Sequence, residues 1–191
     1  MKLSWSHKLF LKINAHIGKN KFFDAVAYVC AIFLIYILGA MVLGWGAFIL
    51  FESSPDQFDY LIKLLLTAHV FAIGISYILA VIWPHRRPRA ELENIKNVFR
   101  TIETWKSFPS DHTTISCLLA FIAIIVGVPV WFGALLVILA LIVGSARVYC
   151  GVHYPRDIIG GIVWAGVVAL MSPWLLENIT QPIYDWVTLF F

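Results

Sequence analysis

Two long stretches of this chain contain no aspartate, glutamate, lysine or arginine. The first covers residues 25–51 and the second covers residues 112–146. A helix of roughly 20 apolar residues crosses a bilayer core about 30 Å thick. Lipid offers no hydrogen-bond partner to a charged side chain or to a backbone N–H or C=O group that is unpaired. These charge-free stretches therefore predict membrane-spanning helices.

The composition also favours a membrane protein. Hydrophobic residues make up 61% of the 191 residues and charged residues 13%, with a mean hydropathy of +0.85. Soluble domains are about 45–50% apolar and about 25% charged, and so short a chain could not bury this much apolar surface in water. These values exclude soluble, disordered and disulfide-rich secreted folds. The three widely spaced cysteines predict small apolar fillers rather than a disulfide or zinc pattern.

We predict an all-α integral membrane protein with one domain over residues 1–191. Five spans are predicted at approximately 24–51, 60–83, 110–127, 130–149 and 156–176. Gly127 and Pro129 divide the second charge-free stretch into a helical hairpin. Residues 1–20, with apolar residues at helical spacing among lysines, predict an amphipathic helix in the membrane interface.

The charged residues are divided unequally between the two faces of this bundle. The loop between the first two spans is short and acidic, whereas the loop over residues 84–109 is long and basic. Every lysine and arginine except Lys63 is predicted to lie on the face of that long loop. Residues 84–157 place histidines and aspartates on this face as well: His85, His112, His153, Asp111 and Asp157. This face is therefore predicted to carry the chemistry.

Two predicted helix starts on this face carry polar side chains at spacings that suit anion binding and acid–base chemistry. Pro109-Ser110 predicts a helix with Ser110 at or near its N-cap, where free N–H groups and the helix dipole favour an anion. His112 then lies in the first turn, facing such an anion. His153 and Asp157 are four residues apart at a second helix start, so the carboxylate can orient the imidazole and leave its other nitrogen as a base or nucleophile.

These residues also allow other interpretations. A basic loop suits an anchor for lipid headgroups, and His153 with Asp157 suits a structural pair or half of a metal site. A metal needs three or four well-placed ligands, whereas these histidines stand among arginines, which bind phosphate with two hydrogen bonds. We predict no metal, no cofactor and no nucleic-acid partner, and the sequence does not indicate an oligomeric state.

The three motifs together resemble the signature of the type 2 phosphatidic acid phosphatase superfamily. That signature is Lys-x6-Arg-Pro, Pro-Ser-Gly-His and Ser-Arg-x5-His-x3-Asp. This chain has Arg87-Pro88, Pro109-Ser110-Asp111-His112, and Arg147 followed by His153 and Asp157 at the family's spacing. The motifs cover about residues 80–160.

This chain departs from the family signature at three positions, and these departures indicate which subgroup it resembles. Ala80 stands in place of the first lysine, Asp111 replaces the glycine of the second motif, and Ala146 precedes Arg147, with Ser145 displaced by one. The missing lysine and the aspartate are similar to the bacitracin-resistance type of undecaprenyl pyrophosphate phosphatase. That subgroup also resembles this chain in size and in having two spans before the first motif.

The resemblance implies a metal-independent phosphate transfer in two steps. His153 would attack phosphorus to form a phosphohistidine, Asp157 would orient His153, and His112 would protonate the leaving oxygen and then activate water. The phosphate oxygens would be held by groups from all three motifs: Arg87, Ser110, Arg147 and the backbone around Asp111. Three further cations are candidates to replace the missing lysine: Arg86, Arg89 and Lys106.

The function implied by the resemblance is a membrane phosphatase of a lipid diphosphate, with undecaprenyl pyrophosphate as the expected substrate and membrane lipids as other partners. Alternatives are a phosphatase of phosphatidylglycerophosphate, phosphatidate or lipid A, a lipid phosphotransferase, and a non-catalytic lipid-binding or transport protein. The resemblance also implies the bacterial inner membrane, with the active site on the outer side. The positive-inside rule instead favours a cytoplasmic position for the basic face.

Overall fold

The computed structural model describes residues 3–50, 54–101 and 105–189. As predicted, helix makes up nearly all of the regular structure, and these ranges contain no β-strand. The helices are, in chain order, α1 (Trp5–Asn14), α2 (Lys21–Ile32), α3 (Leu34–Trp45), the π-helix π1 (Gly46–Leu50), α4 (Pro55–Ile82), α5 (Pro88–Glu91), α6 (Asp111–Val126), α7 (Val130–Tyr149), α8 (Pro155–Leu175), the π-helix π2 (Leu176–Thr180) and α9 (Gln181–Thr188).

The five predicted spans correspond to five apolar helical segments. Among the described residues, three helices are long and apolar enough to cross a membrane: α4, α7 and the continuous helix Pro155–Thr188. A fourth span is possible if α2 and α3 are taken together, although the chain bends by 47° between them. The bend falls at Phe33, and it allows α2 to pack against α7 while α3 packs against α6. The predicted end of this span at residue 51 lies outside the described residues.

α6 is the helix around which the others are arranged. It packs against α3, α4, α7 and α8, and its buried face includes Leu118 and Ile122. The helix ends at Gly127, whose φ of 95° lies in the left-handed region, and α7 starts directly after Pro129. The predicted hairpin is therefore present, with a glycine C-cap and a proline entry. The 16 residues of α6 extend only about 24 Å, less than a full bilayer core.

α1 lies against the start of α8. Its buried Phe10 packs edge-on against the ring of Tyr154, with centroids 5.2 Å apart. The buried Ser6 hydroxyl accepts the N–H of Arg156 at 3.1 Å. Trp5 on the opposite side of α1 is exposed. α1 therefore lies with one face against the third motif, and its role in the membrane interface stays a prediction.

Candidate active site

The three motifs come together where α4 ends, α6 begins, and α7 turns into α8. Nε of Arg87 donates to the carbonyl of Lys106 at 3.0 Å, which joins the first motif to the segment before α6. The N–H of Ser110 donates to the carbonyl of Asp157 at 3.1 Å, which joins the second motif to the third. His112 lies within electrostatic range of Arg87, Arg147 and His153. Residues that are distant in sequence thus form one site.

The pair with the clearest catalytic geometry is His153 and Asp157. Their side chains are 2% and 0% exposed, and Nδ1 of His153 lies 3.5 Å from Oδ2 of Asp157. The same oxygen accepts the hydroxyl of Ser107 at 2.6 Å and the N–H of Tyr154 at 2.8 Å. Because Nδ1 faces the carboxylate, Nε2 is the nitrogen available for nucleophilic attack.

The local fold explains how these two side chains are held. Tyr154 is the N-cap of α8 and Pro155 occupies its first turn. The N–H of Asp157 donates to the carbonyl of Tyr154 at 2.9 Å, and the carboxylate of Asp157 accepts a hydrogen bond from the N–H of Tyr154. Asp157 and the N-cap residue therefore form two reciprocal hydrogen bonds. Gly151 has φ of 83°, and a Cβ there would collide with the carbonyl of Lys96. Glycine is therefore required at the turn that brings His153 back toward the site.

Burial lowers the pKa of His153 to about 4, even though the adjacent Asp157 carboxylate opposes this shift. The positive charge of Arg147 lowers the pKa further, and so does that of Arg87. The imidazole is therefore neutral at pH 7 and carries the lone pair that a nucleophile needs. The ordinary pKa of about 6.5 would leave part of the population protonated near neutrality.

The start of α6 forms a cradle of backbone N–H groups that suits an anion, which we call the anion-binding cradle. Ser110 is its N-cap, as predicted, but no side-chain capping bond is present there. Instead, the buried hydroxyl of Ser110 accepts the hydroxyl of Thr113 at 3.1 Å. The first N–H groups of a helix have no acceptor within the helix and form its positive end. Asp111 and His112 contribute two of these N–H groups, next to the buried pair in the third motif.

Two arginines supply positive charge inside this cradle. Arg87 and Arg147 are both buried. Nη1 of Arg147 donates to the carbonyl of Ala31 at 3.3 Å, and the guanidinium lies 5.3 Å from the ring centroid of Phe99. Within the described ranges, no carboxylate pairs with Arg147, and its buried Nε has no hydrogen-bond partner. An anion entering the site would supply the missing countercharge.

The structure separates the three candidate replacements for the missing lysine. Arg86 and Arg89 are exposed, whereas Lys106 is 1% exposed. The Lys106 ammonium forms an ion pair with the carboxylate of Asp111 and lies 4.6 Å from the ring centroid of Tyr77. Tyr77 belongs to the helical turn before Ala80. Of the three cations, Lys106 is thus the one enclosed by the motifs.

An apolar groove of about 200 Å³ adjoins the site between α4 and α8. A Cβ on Gly160 would collide with the ring of Phe108, so glycine lets that ring pack against α8 in the lining of the groove. The groove is lined by apolar side chains of both helices and of the segment before α6: Leu79, Phe108, Pro109, Gly160, Val163, Trp164 and Val167.

Two residues that contact the site, Ser107 and Tyr154, have no predicted role from the sequence. Ser107 binds Asp157, and Tyr154 donates its hydroxyl to Oε2 of Glu91 at 3.0 Å. Adjacency to a recognised motif was the only available signal, since polar residues near a helix start are common. No group of three or more histidines, cysteines, aspartates or glutamates suited to a metal ion occurs in the part of the chain that the structure describes.

Comparison with known proteins decides the family. The PAP2 superfamily profile matches residues 61–181, which contain all three motifs. The chain belongs to the PAP2 superfamily. This confirms the resemblance drawn from the motifs, and together with the apolar helices it makes the chain a multi-pass membrane protein.

Two relatives and one solved structure extend this PAP2 assignment. The provisionally named undecaprenyl-diphosphatase YbjG of Escherichia coli (strain K12) is 31% identical over 167 residues, 86% of this chain and 78% of the relative. Undecaprenyl-diphosphatase BcrC of Bacillus subtilis (strain 168) is 30% identical over 127 residues, 61% of this chain and 62% of the relative. The crystal structure of Aquifex aeolicus LpxE has a TM-score of 0.70 at 23% identity, over 90% of this chain and 96% of that one. The last similarity shows that the fold is shared.

Proposed function

We propose that this PAP2 protein is a membrane phosphatase that converts undecaprenyl pyrophosphate to undecaprenyl phosphate. The observation that carries this proposal is a buried His153 whose Nδ1 lies 3.5 Å from the Asp157 carboxylate, beside the buried Arg87 and Arg147. Such a site offers a nucleophile together with positive charge for phosphate oxygens. The names of the two undecaprenyl-diphosphatase relatives support this lipid as the substrate.

In the proposed reaction, Nε2 of His153 attacks the terminal phosphorus while the bond to the bridging oxygen breaks. The negative charge of the bound diphosphate favours the protonated form of His112, which gives its proton to that oxygen as lipid monophosphate leaves. His112 then takes a proton from water, whose oxygen attacks the phosphohistidine and releases inorganic phosphate and free His153. Arg87, Arg147 and the first N–H groups of α6 stabilise the charge on the equatorial oxygens throughout.

The apolar groove supports a lipid substrate. It starts at Pro109, directly before Ser110 in the anion-binding cradle, and follows α8 from Gly160 to Val167. The seven helical rises between these two residues correspond to about 10 Å. A hydrocarbon chain attached to a phosphate in the cradle would therefore find an apolar path along α8.

Phosphate release from purified protein tests the proposal. We expect hydrolysis of undecaprenyl pyrophosphate in EDTA, at a higher kcat/KM than hydrolysis of phosphatidate or phosphatidylglycerophosphate. Preference for one of the latter would contradict the proposed substrate but keep the chemistry. Transfer of label to an added lipid acceptor instead of water would indicate a phosphotransferase. The absence of turnover with every lipid would favour the binding or transport alternative.

Alanine substitution of the three candidate cations should separate their roles. Lys106→Ala is expected to lower kcat by roughly 30- to 1,000-fold at every ionic strength, because a charge-assisted contact in the transition state is lost. Arg86→Ala and Arg89→Ala should raise KM about fivefold at low salt and less at high salt, because exposed cations only attract anionic lipid. Three mild, equally salt-sensitive variants would contradict this assignment.

A double variant separates the ammonium of Lys106 from its effect on Asp111. Lys106→Ala leaves a carboxylate without its cation beside the phosphate cradle, which by itself repels substrate. Lys106→Ala combined with Asp111→Gly removes both charges. If the ammonium itself contacts phosphate, kcat should stay low in the double variant; recovery to near the wild-type rate would show that Lys106 only neutralises Asp111.

The pKa of His153 predicts an unusual dependence on pH. Activity that needs neutral His153 should persist as the pH falls through 6.5 and should decline only as the pH approaches about 4. Measurement of kcat/KM between pH 4 and 8 checks this result. An acidic limb at pH 6.5 would mean that an ordinary histidine controls the reaction.

We also propose that the protein lies in the bacterial inner membrane with its active site facing outward. Three of the cations on the basic face, Arg87, Lys106 and Arg147, are buried in the site. This burial supports a role for them in binding phosphate, which reduces their weight in the positive-inside rule. With five spans, the carboxyl end would then face the cytoplasm. A reporter fused after Phe191, which lies outside the described residues, tests this arrangement; labelling of that end from outside the cell would overturn it.

A further inference from the structure

The segment Lys106–Ser107 is bonded to all three motifs at once. The carbonyl of Lys106 accepts Nε of Arg87, and its ammonium pairs with Asp111. The N–H of Ser107 donates to the carbonyl of His85 at 2.9 Å. Its hydroxyl donates to Oδ2 of Asp157 at 2.6 Å. Ser107 is therefore fixed from one side by the first motif and contacts the third motif with its side chain.

The Ser107 hydroxyl is part of a fully enclosed contact. Both Ser107 and Asp157 are 0% exposed, so water does not replace this donor. The other hydrogen bond to Oδ2 comes from Tyr154, which lies only three residues away in the same helix start. Ser107 lies 50 residues away in sequence, in the segment that leads into α6. Its hydrogen bond therefore connects the Asp157 carboxylate to the segment that precedes the anion-binding cradle.

We propose that Ser107 is a positioning residue for the nucleophile, acting through Asp157. This inference rests on the proposed function, because it assigns His153 as the nucleophile. The Ser107 hydroxyl holds the Asp157 carboxylate in the plane where Oδ2 faces Nδ1 of His153. It also takes up part of the negative charge on Oδ2, which limits the pull of that charge on a proton at Nδ1. Ser107 thereby keeps His153 both oriented and neutral.

Substitution of Ser107 by alanine is the direct test, with Ser172→Ala as the matched control. Ser172 is another 0% exposed serine, and its hydroxyl donates to the carbonyl of Ala169 at 2.7 Å within α8. We expect Ser107→Ala to lower kcat about 10- to 100-fold on the lipid diphosphate, with KM changed less than threefold, since a hydrogen bond to a charged group is lost. Ser172→Ala should retain the wild-type kcat.

Two further measurements distinguish positioning from a general structural role. NMR titration of His153 in detergent should show a higher pKa in Ser107→Ala than in wild type, because Asp157 then attracts a proton more strongly; this readout does not depend on turnover. In an Asp157→Asn background, Ser107→Ala should have little additional effect on the residual rate. An unchanged titration of His153, or additive losses in the double variant, would overturn the proposal. Failure of wild type to release phosphate from any lipid would instead contradict the proposed function.

Discussion

His153→Ala is expected to abolish phosphate release while leaving a folded protein in the membrane. The imidazole is the only group in the described site that combines burial, a neutral charge state at pH 7 and an orienting carboxylate at 3.5 Å. Arg87 and the α6 cradle would still bind phosphate in the variant, so binding should outlast turnover. Radiolabelled phosphate trapped on the wild-type protein should be labile to acid and stable to alkali, and it should be absent from His153→Ala.

A suitable control for His153→Ala is His85→Ala. His85 is a partly exposed histidine on the same face, with Nδ1 3.0 Å from the carbonyl of Trp83. Among the described residues, the hydrogen bonds and ion pairs of the Asp157 carboxylate go to other residues. We expect this variant to form the phosphoenzyme. If His153→Ala keeps more than a few per cent of the wild-type rate, another group is the nucleophile.

Asp157→Asn should reduce kcat by about 10⁴ with little change in KM, by analogy with the corresponding change in the serine-protease triad. Oδ2 accepts hydrogen bonds from Ser107 and Tyr154, and an amide nitrogen cannot accept them. If the amide oxygen takes this position instead, the NH₂ group points to the side where Nε of Arg156 lies 3.6 Å from Oδ1. In either orientation, the NH₂ group of the amide faces a neighbouring N–H or O–H donor, so the contacts that orient the side chain toward His153 are disturbed.

Asp157→Glu provides the comparison for this prediction because it keeps the charge and lengthens the side chain. Single-turnover measurements should show slow formation of the phosphoenzyme in Asp157→Asn, with lipid binding preserved. A near-normal rate in Asp157→Asn would mean that the carboxylate only complements the dipole at the start of α8.

The sequence predicted those parts of the molecule that depend on local spacing. The α6–α7 hairpin follows from Gly127 and Pro129, whose backbone preferences act within a single turn. The contact between His153 and Asp157 follows from a separation of four residues at a helix start. The bend at Phe33 was not predicted, since it falls within one charge-free stretch and the two helices it separates differ in their packing partners.

Long-range contacts explain why the rest of the site was less predictable. Arg86, Arg89 and Lys106 are equivalent cations in a basic loop when only the sequence is considered. Burial of Lys106 depends on Asp111 and on the ring of Tyr77, which meet it only in the folded bundle. The contact of Ser107 with Asp157 likewise spans 50 residues. Helical periodicity carries no information about such pairs.

The position of α1 has a practical consequence for anyone who produces this protein. Ser4 caps α1, and the helix reaches the site through His7, whose Nε2 lies 3.4 Å from the Glu91 carboxylate that accepts the hydroxyl of Tyr154. Tyr154 is the neighbour of His153 in the chain. A purification tag fused before Ser4 would be joined to a helix that contacts the turn holding His153, and we expect it to lower activity more than a tag at the carboxyl end.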